Sequence, residues 1–127
     1  MAILLVDDNP LMQQVISRFL ESQGYQVKVA EDGAEALALA RDEAFHLLVL
    51  DMRLPDQDGP QILAALRGLP GMERSPAIAV SGLGEEDRER TVRAGFDIFL
   101  AKPVDLDDLL RVVRGFFDPN PAQALGT

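Results

Sequence analysis

Five short runs, each closed by turn-forming residues and each followed by a helical pattern, constrain this chain more than any other feature. They are Ile3-Leu4-Leu5-Val6, Gln26-Val27-Lys28-Val29-Ala30, Leu47-Leu48-Val49-Leu50, Ala77-Ile78-Ala79-Val80 and Ile98-Phe99-Leu100-Ala101. An unbroken apolar run between turn signals reads as a strand buried on both faces, which happens when helices cover a parallel sheet. Five strand-helix alternations predict an α/β fold, a doubly wound five-stranded parallel sheet with right-handed crossovers. The second run alternates polar and apolar residues, so it belongs at an edge with Lys28 in solvent, which favours the order 2-1-3-4-5.

The helices are marked at their ends. Asn9-Pro10 supplies a cap and a proline at the first helical position, and Leu11, Val15, Ile16, Phe19 and Leu20 recur at helical spacing before Gly24. Asp32 with Glu35 resembles a capping box. A third helix starts near Asp58 and turns Ile62, Leu63 and Leu66 to the sheet. The fourth opens with Glu85-Glu86-Asp87, where the helix dipole favours negative charge, and it has few large apolar residues, so it is the least firmly anchored. Asp105 caps the last, whose inner face carries Leu106, Leu109, Leu110, Val113 and Phe117. Residues 1–118 are expected to form one domain and 119–127 a short flexible tail.

Size and composition narrow the function classes. At 127 residues the chain can bury a core without cross-links, and it has no cysteine, which removes disulfides, thiolate metal sites and cysteine nucleophiles. No apolar run approaches the roughly 20 residues needed to cross a bilayer, and the start lacks the basic residues of a signal peptide. A cytoplasmic protein is expected. The formal net charge of −9 argues against nucleic acid and anionic membranes as partners. His46, the only histidine, begins the third strand, at the end of the sheet opposite the strand ends that bind ligands.

Those strand ends are where function is expected, because open α/β sheets bind ligands outside the carboxyl ends of their strands. The run through Leu50 continues as Asp51-Met52-Arg53-Leu54-Pro55-Asp56-Gln57-Asp58-Gly59, a carboxylate followed by turn chemistry. Taken alone, Asp51 could simply cap the next segment. In the order 2-1-3-4-5, however, strands one and three are neighbours, so Asp7, Asp8 and Asp51 converge and Ser81 and Lys102 arrive from strands four and five.

Three carboxylates within about 5 Å repel by roughly 3 kcal/mol per pair at an effective dielectric near 20. Protonation could relieve this. A hard, oxygen-seeking cation suits aspartates better, with Mg²⁺ the physiological candidate and Mn²⁺ able to substitute. Asp8 and Asp51 would ligate directly, Asp7 through water, and a backbone carbonyl beyond Asp51 could contribute. Asp51 is then a plausible carboxylate nucleophile towards phosphorus, with the cation, Lys102 and Ser81 around the equatorial oxygens.

The pattern Val6-Asp7-Asp8-Asn9-Pro10, Asp51 to Gly59, Ser81-Gly82 and Lys102-Pro103 resembles the receiver domains of two-component response regulators over residues 3 to 117. The resemblance implies a flavodoxin-like receiver fold and phosphoryl transfer from a phosphohistidine, on a histidine kinase or histidine phosphotransfer protein, to Asp51. It implies Mg²⁺ held by Asp8, Asp51 and the Arg53 carbonyl with Asp7 in the outer part of the site, and a cis bond before Pro103. It places Phe99 at an aromatic switch position that works with Ser81, where many relatives carry Tyr. Such a protein catalyses only its own phosphorylation and dephosphorylation and signals to a downstream protein through the fourth helix, fifth strand and fifth helix. Arg53 and Leu83 sit where relatives tune the lifetime of the phosphoryl group.

Three rivals share parts of this pattern. A small phosphatase of the haloacid dehalogenase type needs a second acid two residues after its nucleophile, where this chain has Arg53. A flavin module on the same fold needs a hydroxyl-rich phosphate loop where Asp7-Asp8-Asn9-Pro10 repels anions. A pseudo-receiver would keep the fold as a binding surface without phosphoryl transfer.

Overall fold

The computed structural model describes residues 2–82 and 84–117, with only the backbone at Glu85 and Glu86. The expected tail at 119–127 and Leu83 lie outside the described residues. Strands and helices alternate throughout: β1 (Ala2–Val6), α1 (Pro10–Ser22), β2 (Gln26–Ala30), α2 (Gly33–Asp42), β3 (Leu47–Asp51), α3 (Gly59–Arg67), β4 (Ala77–Ser81), α4 (Glu85–Ala94), β5 (Ile98–Ala101) and α5 (Leu106–Phe117). The five strands form one parallel sheet in the order β2-β1-β3-β4-β5.

Side chains of the central strands point alternately to the two faces, so each strand feeds two cores. Leu4, Val6, Leu48, Leu50, Ala77 and Ala79 pack towards Ala36, Ile62 and Leu66 of α2 and α3. Ile3, Leu5, Leu47, Val49, Ile78 and Val80 pack towards Ile16 and Leu20 of α1 and Leu109 and Val113 of α5. Strands β3 and β4 are buried along their whole length, whereas β2 keeps Gln26 and Lys28 exposed at the edge. Lys28 Nζ lies 2.9 Å from Glu43 Oε1, a surface pair.

The helix caps follow the local sequence. Asn9 Oδ1 accepts from the amides of Leu11 and Met12, Asp32 Oδ1 from that of Glu35, and Asp105 Oδ1 from those of Asp107 and Asp108. Helix α1 departs from the expected stripe. Ile16 and Leu20 are buried with Met12 and Phe19 beside them, but Leu11 is 67% and Val15 39% exposed. At about 100° per residue the five positions span more arc than the flat sheet covers, and Leu11 and Val15 fall on the uncovered flank.

Helix α4 is held differently from the others. Its buried described side chains are polar, Asp87 and Thr91, and Val92 is 71% exposed. Gly59 sets how closely α3 approaches β3: a Cβ there would lie 3.1 Å from Met52 Cα and 3.2 Å from the Asp51 carbonyl oxygen. Only hydrogen at that position lets the helix begin directly against the end of the strand. Among the described residues no helix is long and apolar enough to cross a membrane.

Candidate functional site

The register brings the strand ends together. Val6 pairs with Leu50, Asp51 with Val80 and Ser81 with Ala101, so the residues that leave β1, β3, β4 and β5 share one rim of the sheet. Asp7 follows β1 directly, and its amide still donates to the Ala30 carbonyl at 3.1 Å. Asp51 ends β3, and the Met52 amide continues the ladder to the Val80 carbonyl at 2.9 Å. The Lys102 amide donates to the Ser81 carbonyl at 2.8 Å, fixing the start of the β5–α5 loop, and the Lys102–Pro103 peptide is cis.

Asp7, Asp8 and Asp51 each offer a carboxylate oxygen, and these atoms lie within 4.8 Å of one another. Asp7 and Asp51 are buried while Asp8 is exposed, so the cluster has a closed floor and an open mouth. Asp7 Oδ1 accepts from the Asn9 amide at 2.9 Å, and Asp51 Oδ1 from the Arg53 amide at 3.0 Å. Lys102 Nζ donates to Asp51 Oδ2 at 2.9 Å.

The electrostatics follow from that geometry. Burial pushes the Asp7 carboxyl above its ordinary value, and the charges of Asp51 and Asp8 push the same way against the Asn9 amide and Lys102. Burial alone would lower the Lys102 ammonium. The hydrogen bond and charge of Asp51, with the charges of Asp7 and Asp8, outweigh it and raise the group above 10.5. One ammonium faces three carboxylates, so with all of them ionised the cluster carries a net charge near −2 that a divalent cation matches. The donors are hard oxygens with no sulfur or imidazole, the set that Mg²⁺ takes. The acidic triad is thus consistent with Mg²⁺ binding.

Ser81 and Arg53 are engaged elsewhere. Ser81 is buried at the end of β4, and its hydroxyl donates to Asp87 Oδ2 in the first turn of α4. Arg53, half exposed, places Nη2 3.2 Å from Asp87 Oδ1. Arg90 completes the cluster, with Nη1 3.5 Å from Asp87 Oδ1 and Nη2 3.0 Å from Asp58 Oδ2. Phe99 on β5 is partly buried, and the Arg88 guanidinium lies 4.8 Å from its ring centroid, a cation–π contact. His46 stands at the opposite end of the sheet, where Nδ1 accepts from the Ala2 amide at 3.1 Å.

Two residues near the site escape a reading of the sequence. Asp87 looks like ordinary helix-start charge, yet it is wholly buried. The available signal is the poverty of apolar residues in α4: its inward face must carry something polar, and Asp87 and Thr91 are one turn apart. Asp56, within a run of turn residues, reaches across to α2 and accepts from the amides of Gly33 at 2.9 Å and Ala34 at 3.1 Å. The Gly33 amide above all holds its carboxyl below the usual value.

Comparison with known proteins finds that residues 3–114 match the response regulator receiver domain. An uncharacterised 14.6 kDa protein of Leptolyngbya boryana is 41% identical over 117 residues, covering 91% of this chain and 89% of that protein. The sensor histidine kinase RcsC of Salmonella typhi is 35% identical over 109 residues, 86% of this chain but only 11% of the kinase. Among solved structures, the receiver domain of the sensor histidine kinase PA1611 of Pseudomonas aeruginosa is 35% identical with a TM-score of 0.83, covering 91% of this chain and 95% of that one; it holds a magnesium ion in its active site cleft. The chemotaxis response regulator CheY4 of Vibrio cholerae is 28% identical with a TM-score of 0.84, covering 91% and 97%.

Proposed function

Since the chain belongs to the response regulator receiver family of two-component systems, we propose that it accepts a phosphoryl group from a phosphohistidine onto Asp51 and signals through α4, β5 and α5. Receiver domains pair with histidine kinases, and the donor proposed here is a histidine kinase or a histidine phosphotransfer protein. In the transfer the Asp51 carboxylate attacks phosphorus, an O–P bond forms, the N–P bond breaks, and the imidazole leaves with the electron pair. The result is an aspartyl phosphate. The protein turns over no other substrate: it catalyses its own phosphorylation and the later hydrolysis of the acyl phosphate.

The observation that carries this reading is the Asp51 carboxylate itself, buried, bonded by Lys102 Nζ at 2.9 Å on one oxygen, and seated beside two further acids. The ammonium is placed to stabilise charge on a phosphoryl group attached at that position. Asp8, Asp51 and the Arg53 carbonyl would hold Mg²⁺, or Mn²⁺ in its place, with Asp7 acting through water. The bound cation would supply charge to the phosphoryl oxygens. Ser81 would donate to a phosphoryl oxygen once it leaves Asp87, and Phe99 would move with it.

The phosphatase alternative is disfavoured by Arg53, since the position two residues beyond Asp51 carries a cation drawn to Asp87 rather than a general acid. The pseudo-receiver and phosphoacceptor readings separate on one assay. Incubation with acetyl phosphate and Mg²⁺ is expected to label the protein with one phosphoryl group that is labile to alkali and hydroxylamine. Asp51→Asn should lose it. Labelling of the variant at the wild-type rate would refute the assignment.

A further inference from the structure

Among the described side chains of α4, Asp87 is the carboxylate that is fully buried, and it gathers three donors from three parts of the chain. The Ser81 hydroxyl comes from the end of β4, the Arg53 guanidinium from the loop after β3, and Arg90 from one turn along the same helix. Two of these three, Ser81 and Arg53, leave strands beside Asp51 and belong to the rim where a phosphoryl group would sit. A carboxylate without water needs such donors, and removing any of them is costly. A phosphoryl group on Asp51 adds about two negative charges and three acceptor oxygens within the same small region. Asp87 and that group therefore compete for the same hydroxyl and the same guanidinium.

We propose that Asp87 is a resting-state latch: it holds Ser81 and Arg53 until phosphorylation of Asp51 takes them, and the loss of those two bonds is how α4 registers the event. The proposal rests on the phosphoacceptor reading above and adds to it a residue that acts through Ser81, so Asp87 is a positioning residue rather than a catalytic one. Helix α4 suits the part. Beyond Asp87, its described buried side chain is Thr91, and Val92 faces solvent. Arg90 ties the same carboxylate to Asp58 at the start of α3, so release of Asp87 is felt at a second helix. Arg88, the next residue after Asp87, lies over the Phe99 ring, so a shift of α4 uncovers that aromatic face.

The balance between latched and unlatched forms sets the sign of the effect. If only the unlatched form offers Ser81 to the phosphoryl group, the apparent affinity for its mimic is reduced by the fraction of protein that is unlatched. Beryllofluoride with Mg²⁺ is the probe. Asp87→Asn keeps the shape and one acceptor oxygen while removing the charge that holds Arg53 and Arg90. It should bind beryllofluoride about tenfold more tightly than wild type, the fold-change expected from weakening one charge-assisted hydrogen bond. In a Ser81→Ala background the same substitution should gain less, because one of the contested donors is gone.

A merely structural Asp87 would give a different pattern, with lower thermal stability in Asp87→Asn and unchanged or weaker beryllofluoride binding; that outcome overturns the latch. Should the variant not fold, wild type alone decides. Beryllofluoride with Mg²⁺ is expected to speed hydrogen exchange at the amides of residues 88–94, and unchanged exchange there would overturn the proposal. If wild type binds no beryllofluoride, the phosphoacceptor reading itself falls and the latch with it. If wild type binds and the Asp87 tests fail, only the latch is lost.

Discussion

Lys102 is the residue on which the charge of the site turns. Its ammonium is the only cation bonded to Asp51 among the described residues, and its pKa is raised above 10.5, so it stays protonated in any physiological assay. The sign is that of a cation gaining partners: its stabilising contribution is whole below 10.5 and is lost only as pH rises through the higher folded value. Lys102→Met is expected to split two properties that would fall together if the variant simply misfolded. Labelling by acetyl phosphate should slow by about a hundredfold, the scale for losing one donor to developing negative charge. Mg²⁺ should bind several-fold more tightly, because three carboxylates are then left without their ammonium. Parallel rate and titration measurements check this, and weaker Mg²⁺ binding would contradict the account. The acids were legible in the sequence because each stands at the end of an apolar run, where topology forces convergence. Asp87 was not, since its donors Arg53 and Ser81 are brought to it only by the packing of α4 on the sheet.

At the scale of elements, the helix starts show which structure is local and which is not. The Asn9, Asp32 and Asp105 caps act within three residues and can be read directly from the chain. Asp56 caps α2 from 23 residues away, and no local pattern marks it. Its carboxyl is held below 3.8 mainly by the Gly33 amide. A carboxylate with a depressed folded value stabilises above its unfolded pKa, and that stability drains as pH falls through the folded one. Asp56→Ala should therefore lower the urea midpoint at neutral pH, with the gap to wild type narrowing below about pH 4. Chemical denaturation across that range tests it, and a gap independent of pH would show that the charge of Asp56 is irrelevant. The split of the α1 stripe was hidden for a related reason: spacing tells which residues share a side of the helix, but the width of the sheet decides how many are covered. Leu11 and Val15 lie just past that width.

For the whole molecule, the acidic cluster is a point of stored repulsion in a fold otherwise closed by two well-covered cores. Mg²⁺ that binds the folded chain alone should raise its stability by about 1.4 kcal/mol when present at ten times its Kd. Chelation should reverse the gain. Asp8→Asn removes one of the three charges from the exposed side of the cluster, so it should make the metal-free protein more stable and abolish most of the Mg²⁺ increment. Thermal melts with Mg²⁺ and with chelator measure both, and a metal-free variant less stable than wild type would show that the acids are not in net repulsion. The sheet order and the strand ends were readable because burial on both faces leaves an unmistakable apolar signature. The ion-pair cluster of Arg53, Asp87, Arg90 and Asp58 was not, because in a sequence such arginines look like ordinary solvated charge.

The manner in which α4 is fastened has a last consequence. Among the described side chains the helix is fastened mainly by polar bonds, Asp87 to Ser81 and Arg53 and Arg90 to Asp58, with Ala94 its small apolar contact with the core. Such a joint can be undone bond by bond without wetting oil, so the helix can peel or pivot while the rest of the body stays intact. A seam of leucines would have made every excursion a partial melting; this one lets the molecule gesture without coming apart.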